Sequence, residues 1–521
     1  MYRLLTNCAV TVDMFCGFKN MKVIMQLLSF VACVWIVSAA ENEIFSSTDQ
    51  VMQLVEEERY LLKIFRNYIT IEEKNLNVLK GILELLTQRS NSEDSEDSEE
   101  AMSNPVAAFK LIQRMRIEWV TMVNSTKKSI YEEFQVILHS DILKIPSNED
   151  IAGAALGLFS LQEIYKLYPD DIVKGTFFGE DEAYLVGNIA YKQDKFQLAF
   201  HWFLYSLKML NHPDSRPSIR VVTKEILLSY LSTSAYKFGS LPVAINYTKQ
   251  LLNLDPTNDK VKHLLKSYKT LQQTSISYYP NIFKLSTKSH NTYEALCRGN
   301  VPQKTSRRQR ALSCRYSTGG GNPRLILAPL KEEVEWNEPQ IIRYHDIISD
   351  NEIETLKNLS RPLLSRSRTK SGISNALVSQ SGFLDEDDTV VVRVNQRVAD
   401  ATGLSMETAE GLDVQNYGIG GIHEPHYDAG FDKDERIATF LIYMSDVKIG
   451  GATVFPTVGA ALQPKKGSAV FWYNLKKNGD LDLRIRHAEC PVLVGNKWVA
   501  NKFIHEFGQE FRRPCSLSKW E

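Results

Sequence analysis

Apolar residues recur every three to four positions from Val51 to Leu86, including Val51, Leu54, Val55, Leu61, Leu62 and Phe65. That spacing predicts one long amphipathic helix with a stripe to bury. Glu58 and Glu72 interrupt the stripe, so a helical bundle and a coiled coil are both open, and either can mediate self-association. Residues 90–100 hold Ser, Glu and Asp with one Asn and no apolar side chain, which predicts a solvated loop. A helical self-association domain is expected over 41–140.

Between 145 and 260 the pattern repeats. Ala190, Tyr191 and Ala199 return 45 residues later as Ala235, Tyr236 and Ala244, and Asp255-Pro256 ends the second copy. The spacing is tetratricopeptide-like, with small Ala residues where paired helices approach closely. Stacked pairs of this kind present a concave surface to extended peptides. Tyr191, Phe196, Tyr230 and Tyr236 are candidates to stack on a Pro-rich ligand, as aromatic grooves do with polyproline II helices. Residues 261–334 are polar, with Gly319-Gly320-Gly321 and the basic run Arg307, Arg308 and Arg310, and read as a linker.

From 335 to 521 the period shifts to short β-rich runs. Leu412–Tyr417, Ile437–Met444, Ala469–Tyr473 and Cys490–Val494 predict strands, broken at Gly420-Gly421, Gly450-Gly451, Pro464 and Asn478-Gly479. A helix is expected near Ser349 to Leu359. The expected fold class is multidomain α+β: a helical amino-terminal region, a helical repeat domain and a carboxy-terminal jelly-roll, or double-stranded β-helix, domain. Barrels of that kind hold a cofactor in their mouths.

Composition narrows the setting. The chain has 521 residues, 43% of them apolar, enough for about three or four domains. A net charge of −1 argues against nucleic acid as the main partner. Near the start, Met21-Lys22 precedes an apolar run from Val23 to Val37 and the small residues Ser38, Ala39 and Ala40, so residues 1–40 are expected to be a signal peptide region rather than a membrane span. Its removal takes away Cys8, Cys16 and Cys33. Cys297, Cys314, Cys490 and Cys515 remain, an even set for an oxidising compartment. Three pairings are possible, and proximity favours Cys297 with Cys314 and Cys490 with Cys515. Asn124, Asn246 and Asn358 each open a glycosylation sequon.

The candidate chemistry lies in the strand-rich third. His426, Asp428 and a distal His487 form a two-His, one-carboxylate set, which leaves one face of an Fe(II) octahedron open, unlike a closed tetrahedral zinc site. Lys497 follows His487 by ten positions and can hold a carboxylate. Arg436, Thr439 and Tyr443 fall on an intervening strand whose alternate residues face the interior.

Around these residues stand Gly450-Gly-Ala-Thr-Val-Phe-Pro456, Lys465-Lys-Gly-Ser-Ala-Val-Phe-Trp-Tyr-Asn474 and Cys490-Pro-Val-Leu-Val-Gly-Asn-Lys-Trp498. In these runs the chain resembles the collagen prolyl 4-hydroxylase alpha subunit, an Fe(II)/2-oxoglutarate-dependent dioxygenase. The resemblance covers the mature chain and is strongest from Trp336 to Pro514. It implies that His426, Asp428 and His487 bind Fe(II), and that Lys497 holds the far carboxylate of 2-oxoglutarate with help from Tyr443, Thr439 and Tyr417. It further implies that O2 is consumed, that succinate is released as a peptidyl proline in an Xaa-Pro-Gly repeat is hydroxylated at C4, and that L-ascorbate rescues oxidised iron. Arg436 and Phe503 match positions that contact the substrate proline.

The chain departs from the family pattern where it meets substrate. His423 replaces a Tyr, and Phe503 replaces a Trp, keeping an apolar face without the indole N–H. Phe196, Gln197 and Thr233 occupy positions where vertebrate relatives carry Tyr. A hydroxylase of a non-collagen Pro-rich secreted protein, or a non-catalytic collagen-binding subunit, is therefore the alternative. The chain closes Ser518-Lys519-Trp520-Glu521, which is not a retention signal. Residence in the endoplasmic reticulum lumen is expected to depend on a partner, and the resemblance implies protein disulfide isomerase as beta subunit of an α2β2 tetramer acting on procollagen.

Overall fold

A computed structural model of the chain describes residues 43–71, 83, 84, 87, 104–120, 145–211, 222–274, 279–285, 292–302, 312–368, 372–430 and 435–518. The expected signal region, the acidic loop at 90–100, Asn124 and the basic run at 307–310 lie outside these residues. Asn246 and Asn358 are exposed on helices.

The first helix, α1, spans Thr48–Ile71 and buries Val51, Leu54, Leu61 and Leu62. Its stripe packs on α2, Pro105–Gln113, which starts at an Asn104 cap that accepts from the amides of Val106 and Ala107. Glu58, which interrupts the stripe in sequence, is buried and receives both Nε and Nη2 of Arg114, the latter at 2.8 Å. A paired carboxylate is tolerated where a lone one is not.

Helix α3, Asn148–Tyr165, begins at a Ser147/Asp150 capping box. The repeat follows as α4 Glu180–Lys192 with α5 Phe196–Leu210, α6 Lys224–Lys237 with α7 Leu241–Leu254, and α8 Asp259–Thr274 packed on α7. Ala190, Ala199, Ala235 and Ala244 are all fully buried. The two turns make equivalent hydrogen bonds: Lys195 N donates to Ala190 O at 3.0 Å, and Ser240 N to Ala235 O at 2.8 Å. Asp194 (φ 56°) and Gly239 (φ 91°) sit at the same left-handed position of each copy.

The interval 261–334, expected as a linker, is instead structured in part. It contains most of α8, the short helix α9 (Thr292–Cys297) and strands β1 (Cys314–Ser317) and, from Leu330, β2 (Leu330–Trp336). Those strands extend the large sheet. The remaining strands are β3 Ile341–His345, β4 Ser365–Arg366, β5 Ser379–Leu384, β6 Leu412–Tyr417, β7 His423–His426, β8 Arg436–Tyr443, β9 Val447–Gly450, β10 Thr453–Phe455, β11 Ala460–Leu462, β12 Ala469–Tyr473, β13 His487–Glu489, β14 Val492–Gly495 and β15 Trp498–His505. Nine are ordered β1-β2-β3-β12-β8-β15-β6-β5-β4; a facing four-stranded sheet runs β11-β10-β13-β7; β14 pairs with β9. The expected strand Cys490–Val494 is divided, because Pro491 cannot donate to a ladder and separates β13 from β14.

Between the two sheets lies a core that includes Tyr417, Tyr443, Phe455, Val470 and Trp472. Behind the large sheet, α10 (Asp350–Ser360, capped by Ser349 and Glu352) and α11 (Thr389–Thr402) bury Ile353, Leu356, Val391 and Val394 against it. Behind the small sheet, α3 and α9 pack Ile164, Tyr293 and Leu296 on Val454, Ala488 and Cys490. That packing decides the cysteine pairing. Cys297 is bonded to Cys490 with Cα atoms 5.5 Å apart, and Cys314 and Cys515 are exposed thiols. The pairing by proximity is therefore overturned: α9 lays Cys297 on the fully buried Cys490, while Cys314 opens β1 at the far edge of the large sheet.

Candidate active site

The small sheet assembles the metal-type ligands by strand pairing. β13 runs antiparallel to β7 with His487 directly opposite His426, and Asp428 follows two residues after β7. Donor atoms of the three side chains lie within 4.8 Å of one another. His426 Nε2 is 3.4 Å from Asp428 Oδ1, and His487 Nε2 is 3.5 Å from Asp428 Oδ2. Each ring is held from behind. His426 Nδ1 is 2.8 Å from Glu424 O, and His487 Nδ1 is 3.1 Å from Ile485 O, which leaves both Nε2 atoms turned to Asp428. Burial lowers the His487 pKa to about 4, so its imidazole is neutral at physiological pH, the form that ligates metal. This donor set fits an Fe(II) site with open positions.

Asp428 is fixed through a buried chain. Trp472 Nε1 donates to Asn474 Oδ1 at 2.9 Å, Asn474 Nδ2 to Thr439 Oγ1 at 2.9 Å, and Thr439 Oγ1 to Asp428 Oδ2 at 2.6 Å. Thr439 lies on β8, the central strand of the large sheet, so the two sheets meet at the carboxylate.

Deeper in the barrel, Lys497 is 1% exposed. Its Nζ donates to Gly451 O at 2.6 Å and pairs with Glu489 Oε2. Burial pulls the ammonium pKa down against the pull of Glu489. Tyr443 donates to Thr453 Oγ1 at 2.7 Å, and Thr453 donates to Glu489 at 2.8 Å. The Lys497 ammonium stands 5.0 Å from the centre of the Tyr417 ring. A buried cation with an adjacent phenol suits a carboxylate-bearing cosubstrate.

Arg436 and Phe503 form a second flank. Phe503 on β15 is the cross-strand partner of Thr439 on β8, and the Arg436 guanidinium lies 3.7 Å over its ring. Arg436 also makes a two-point contact with Glu410 at 2.5 and 2.8 Å. His423, opposite Glu489, stacks on His426 with ring centres 3.5 Å apart.

Among the repeat aromatics, Tyr191 meets Phe196 at 5.4 Å and Tyr230 at 5.3 Å, all partly exposed. Tyr184 and Phe203 back Tyr230 at 5.7 and 4.8 Å. Tyr236 is 40% exposed and stacks on Tyr268 of α8 at 4.7 Å. Gln197 turns to another task, donating to Ile282 O and Lys284 O.

Three family models match the chain. The N-terminal region of the prolyl 4-hydroxylase alpha subunit matches 47–179, the prolyl 4-hydroxylase peptide-substrate-binding domain 180–274, and the 2OG-Fe(II) oxygenase superfamily 412–505. Prolyl 4-hydroxylase subunit alpha-1 of Homo sapiens is 40% identical over 93% of this chain and 97% of that protein. Subunit alpha-2 of Gallus gallus is 39% identical over 94% and 98%, and subunit alpha-2 of Caenorhabditis elegans 33% over 92% and 94%. The chain belongs to the prolyl 4-hydroxylase alpha-subunit family.

For this prolyl 4-hydroxylase family member, the peptide-substrate-binding model ends with α8, past the 260 boundary expected from the repeat. Thr453, Asn474 and Glu489 are polar residues of the site that sequence reasoning missed. Thr453 and Asn474 stand inside the quoted motif runs, where strand alternation was the available signal; for Glu489, its place two residues after His487 was the only one.

Proposed function

We propose that this chain is the catalytic alpha subunit of a procollagen-proline 4-dioxygenase, hydroxylating peptidyl proline at C4 in Xaa-Pro-Gly repeats while 2-oxoglutarate is decarboxylated to succinate. The observation that carries the reading is the cluster of a partly exposed His426 with the buried Asp428 and His487, backed by Lys497, in a chain whose likeness to prolyl 4-hydroxylase alpha subunits runs nearly end to end. His426, Asp428 and His487 would hold Fe(II). Lys497, with Tyr443 linked to it through Thr453 and Glu489, would receive the far carboxylate of 2-oxoglutarate. When bound, the iron with O2 and the 2-oxo acid supplies the oxidising power.

The chain's own residues orient and enclose. Thr439 fixes the Asp428 carboxylate, and Glu424 and Ile485 carbonyls fix the two rings. Phe503 and Arg436 offer an apolar plate and a cation beside the metal cluster for a proline ring and its peptide carbonyl. The Tyr191, Phe196 and Tyr230 surface, with Tyr236 farther along, would take the flanking Pro-rich chain. Residence in the endoplasmic reticulum lumen, L-ascorbate as reductant for oxidised iron, and protein disulfide isomerase as beta subunit of an α2β2 tetramer belong to the same proposal. Among the described residues no helix is long and apolar enough to cross a membrane.

A second reading keeps the chemistry and changes the substrate to a non-collagen Pro-rich protein, favoured by Phe503, His423 and a Gln197 engaged with 282–284. Co-expression with protein disulfide isomerase and measurement of succinate on a Pro-Pro-Gly repeat peptide, with Fe(II) and ascorbate, separates the two. Release above a His487→Ala control supports the collagen reading; release only with other Pro-rich peptides supports the second.

A further inference from the structure

Lys497 is not waiting alone. The strand that begins with His487 carries Glu489 two residues later, on the same face, so both side chains enter the barrel from one edge. Glu489 is 3% exposed. Its carboxylate pairs with Lys497 Nζ and accepts from Thr453 Oγ1 at 3.0 and 2.8 Å, and Thr453 in turn accepts from Tyr443 at 2.7 Å. The groups that suit the far carboxylate of a 2-oxo acid thus already converge on a carboxylate that belongs to the chain. One buried cation faces one buried anion, and a dicarboxylate entering beside them would bring a like charge into enclosed surroundings.

From this geometry we infer that Glu489 is an internal competitor for the distal carboxylate of the cosubstrate, and that it sets the selection among 2-oxo acids. The inference rests on the assignment of Lys497 to the cosubstrate site. Glu489 leaves Lys497 before a dicarboxylate takes its place, so 2-oxoglutarate binds more weakly than the cation alone would hold it. A 2-oxo acid without the second carboxylate meets no such rival, and the chain discriminates against it less than a free lysine would.

Calorimetric titration of the full chain with its partner subunit, loaded with Fe(II) under anaerobic conditions, tests the idea. The probes are 2-oxoglutarate and 2-oxobutyrate, which keeps the 2-oxo acid and lacks the far carboxylate. Glu489→Gln, which keeps shape and hydrogen-bonding capacity, is expected to tighten 2-oxoglutarate by about tenfold or more while 2-oxobutyrate moves less than about twofold. Equal 2-oxoglutarate affinity in variant and parent overturns the proposal, as does a parallel shift of both acids. Should that variant not fold, the unmodified chain still decides: a preference for 2-oxoglutarate over 2-oxobutyrate above about a hundredfold contradicts a pre-occupied lysine, and a smaller ratio supports it. Failure of the cosubstrate site itself reads differently, as no binding of either acid to any form that retains Fe(II).

Discussion

Asp428 shows how far a single residue can be read. Its place in a candidate ligand set was legible, because metal chemistry admits few residue types and His-x-Asp with a distal His narrows them further, and the fold does bring the three side chains together. What holds it was not. Thr439 reaches Asp428 from another sheet, and Asn474 and Trp472 extend the chain behind it. A Thr or Asn inside a strand reads the same whether it faces solvent or a ligand, and only the pairing of β8 with β12 and β15 separates the cases. Thr439→Val keeps the shape and deletes the donor. It is expected to weaken Fe(II) binding by roughly 10–100-fold, with Thr439→Ser recovering most of it, in a metal titration. Equal affinities would leave the chain from Trp472 without a part in ligand positioning. Glu489 illustrates the same blindness with opposite sign: a charged residue two positions after His487 gave no hint that it pairs with the lysine eight positions on.

At the level of elements, β6 and β12 were legible end to end and β8 to within one residue, since apolar β-rich runs bounded by turn residues have few other solutions. The repeat was legible for a similar reason: close helix pairs demand small residues, and Ala190, Ala199, Ala235 and Ala244 keep the period. Cysteine pairing was not, because proximity in sequence says nothing about α9 folding back onto β13. Interior polar positions also escaped. Asp413 on β6 is buried, its Oδ2 accepting from Gln415 at 2.6 Å, and burial raises its carboxyl to about 7. An unfolded Asp titrates near about 3.9, so from about pH 4 to 7 the native chain holds a proton that the unfolded one has lost. Stability therefore falls as pH rises through that window. Asp413→Asn removes the titration, and its melting temperature is expected to exceed the parent's at pH 7.5 and to converge with it near pH 4. Parallel pH profiles would dissociate Asp413 from the effect.

Across the whole molecule, the helical region sits on the barrel at the turn that leads into the cluster of His426, Asp428 and His487, an arrangement no local pattern announces because its contacts join residues hundreds of positions apart. Asn416 accepts from Ser47 Oγ at 2.7 Å and Asp49 N at 3.0 Å; Asn496 accepts from Thr48 Oγ1 at 2.5 Å; Asp49 pairs with Arg361 at 3.0 Å. The closest approach is backbone to backbone. A methyl on Gly157 of α3 would stand 2.1 Å from Ile419 O, and one on Gly420 (φ 57°) would stand 2.3 Å from Gly157 O. Both glycines are needed for α3 to lie against the 418–421 turn, and β7 with His426 begins two residues beyond it. Gly157→Ala forces the helix and the turn apart, an overpacking that costs about 1–3 kcal/mol. Because the displaced turn leads into the strand of His426, a proposed iron ligand, the variant is expected to lose Fe(II) affinity together with melting temperature, although residue 157 is far from 426 in sequence. A lower melting temperature with unchanged metal affinity would mean that the α3 contact serves the fold and leaves the site untouched; loss of both would make the helical region a support of the iron centre as well as the carrier of the peptide-binding repeat.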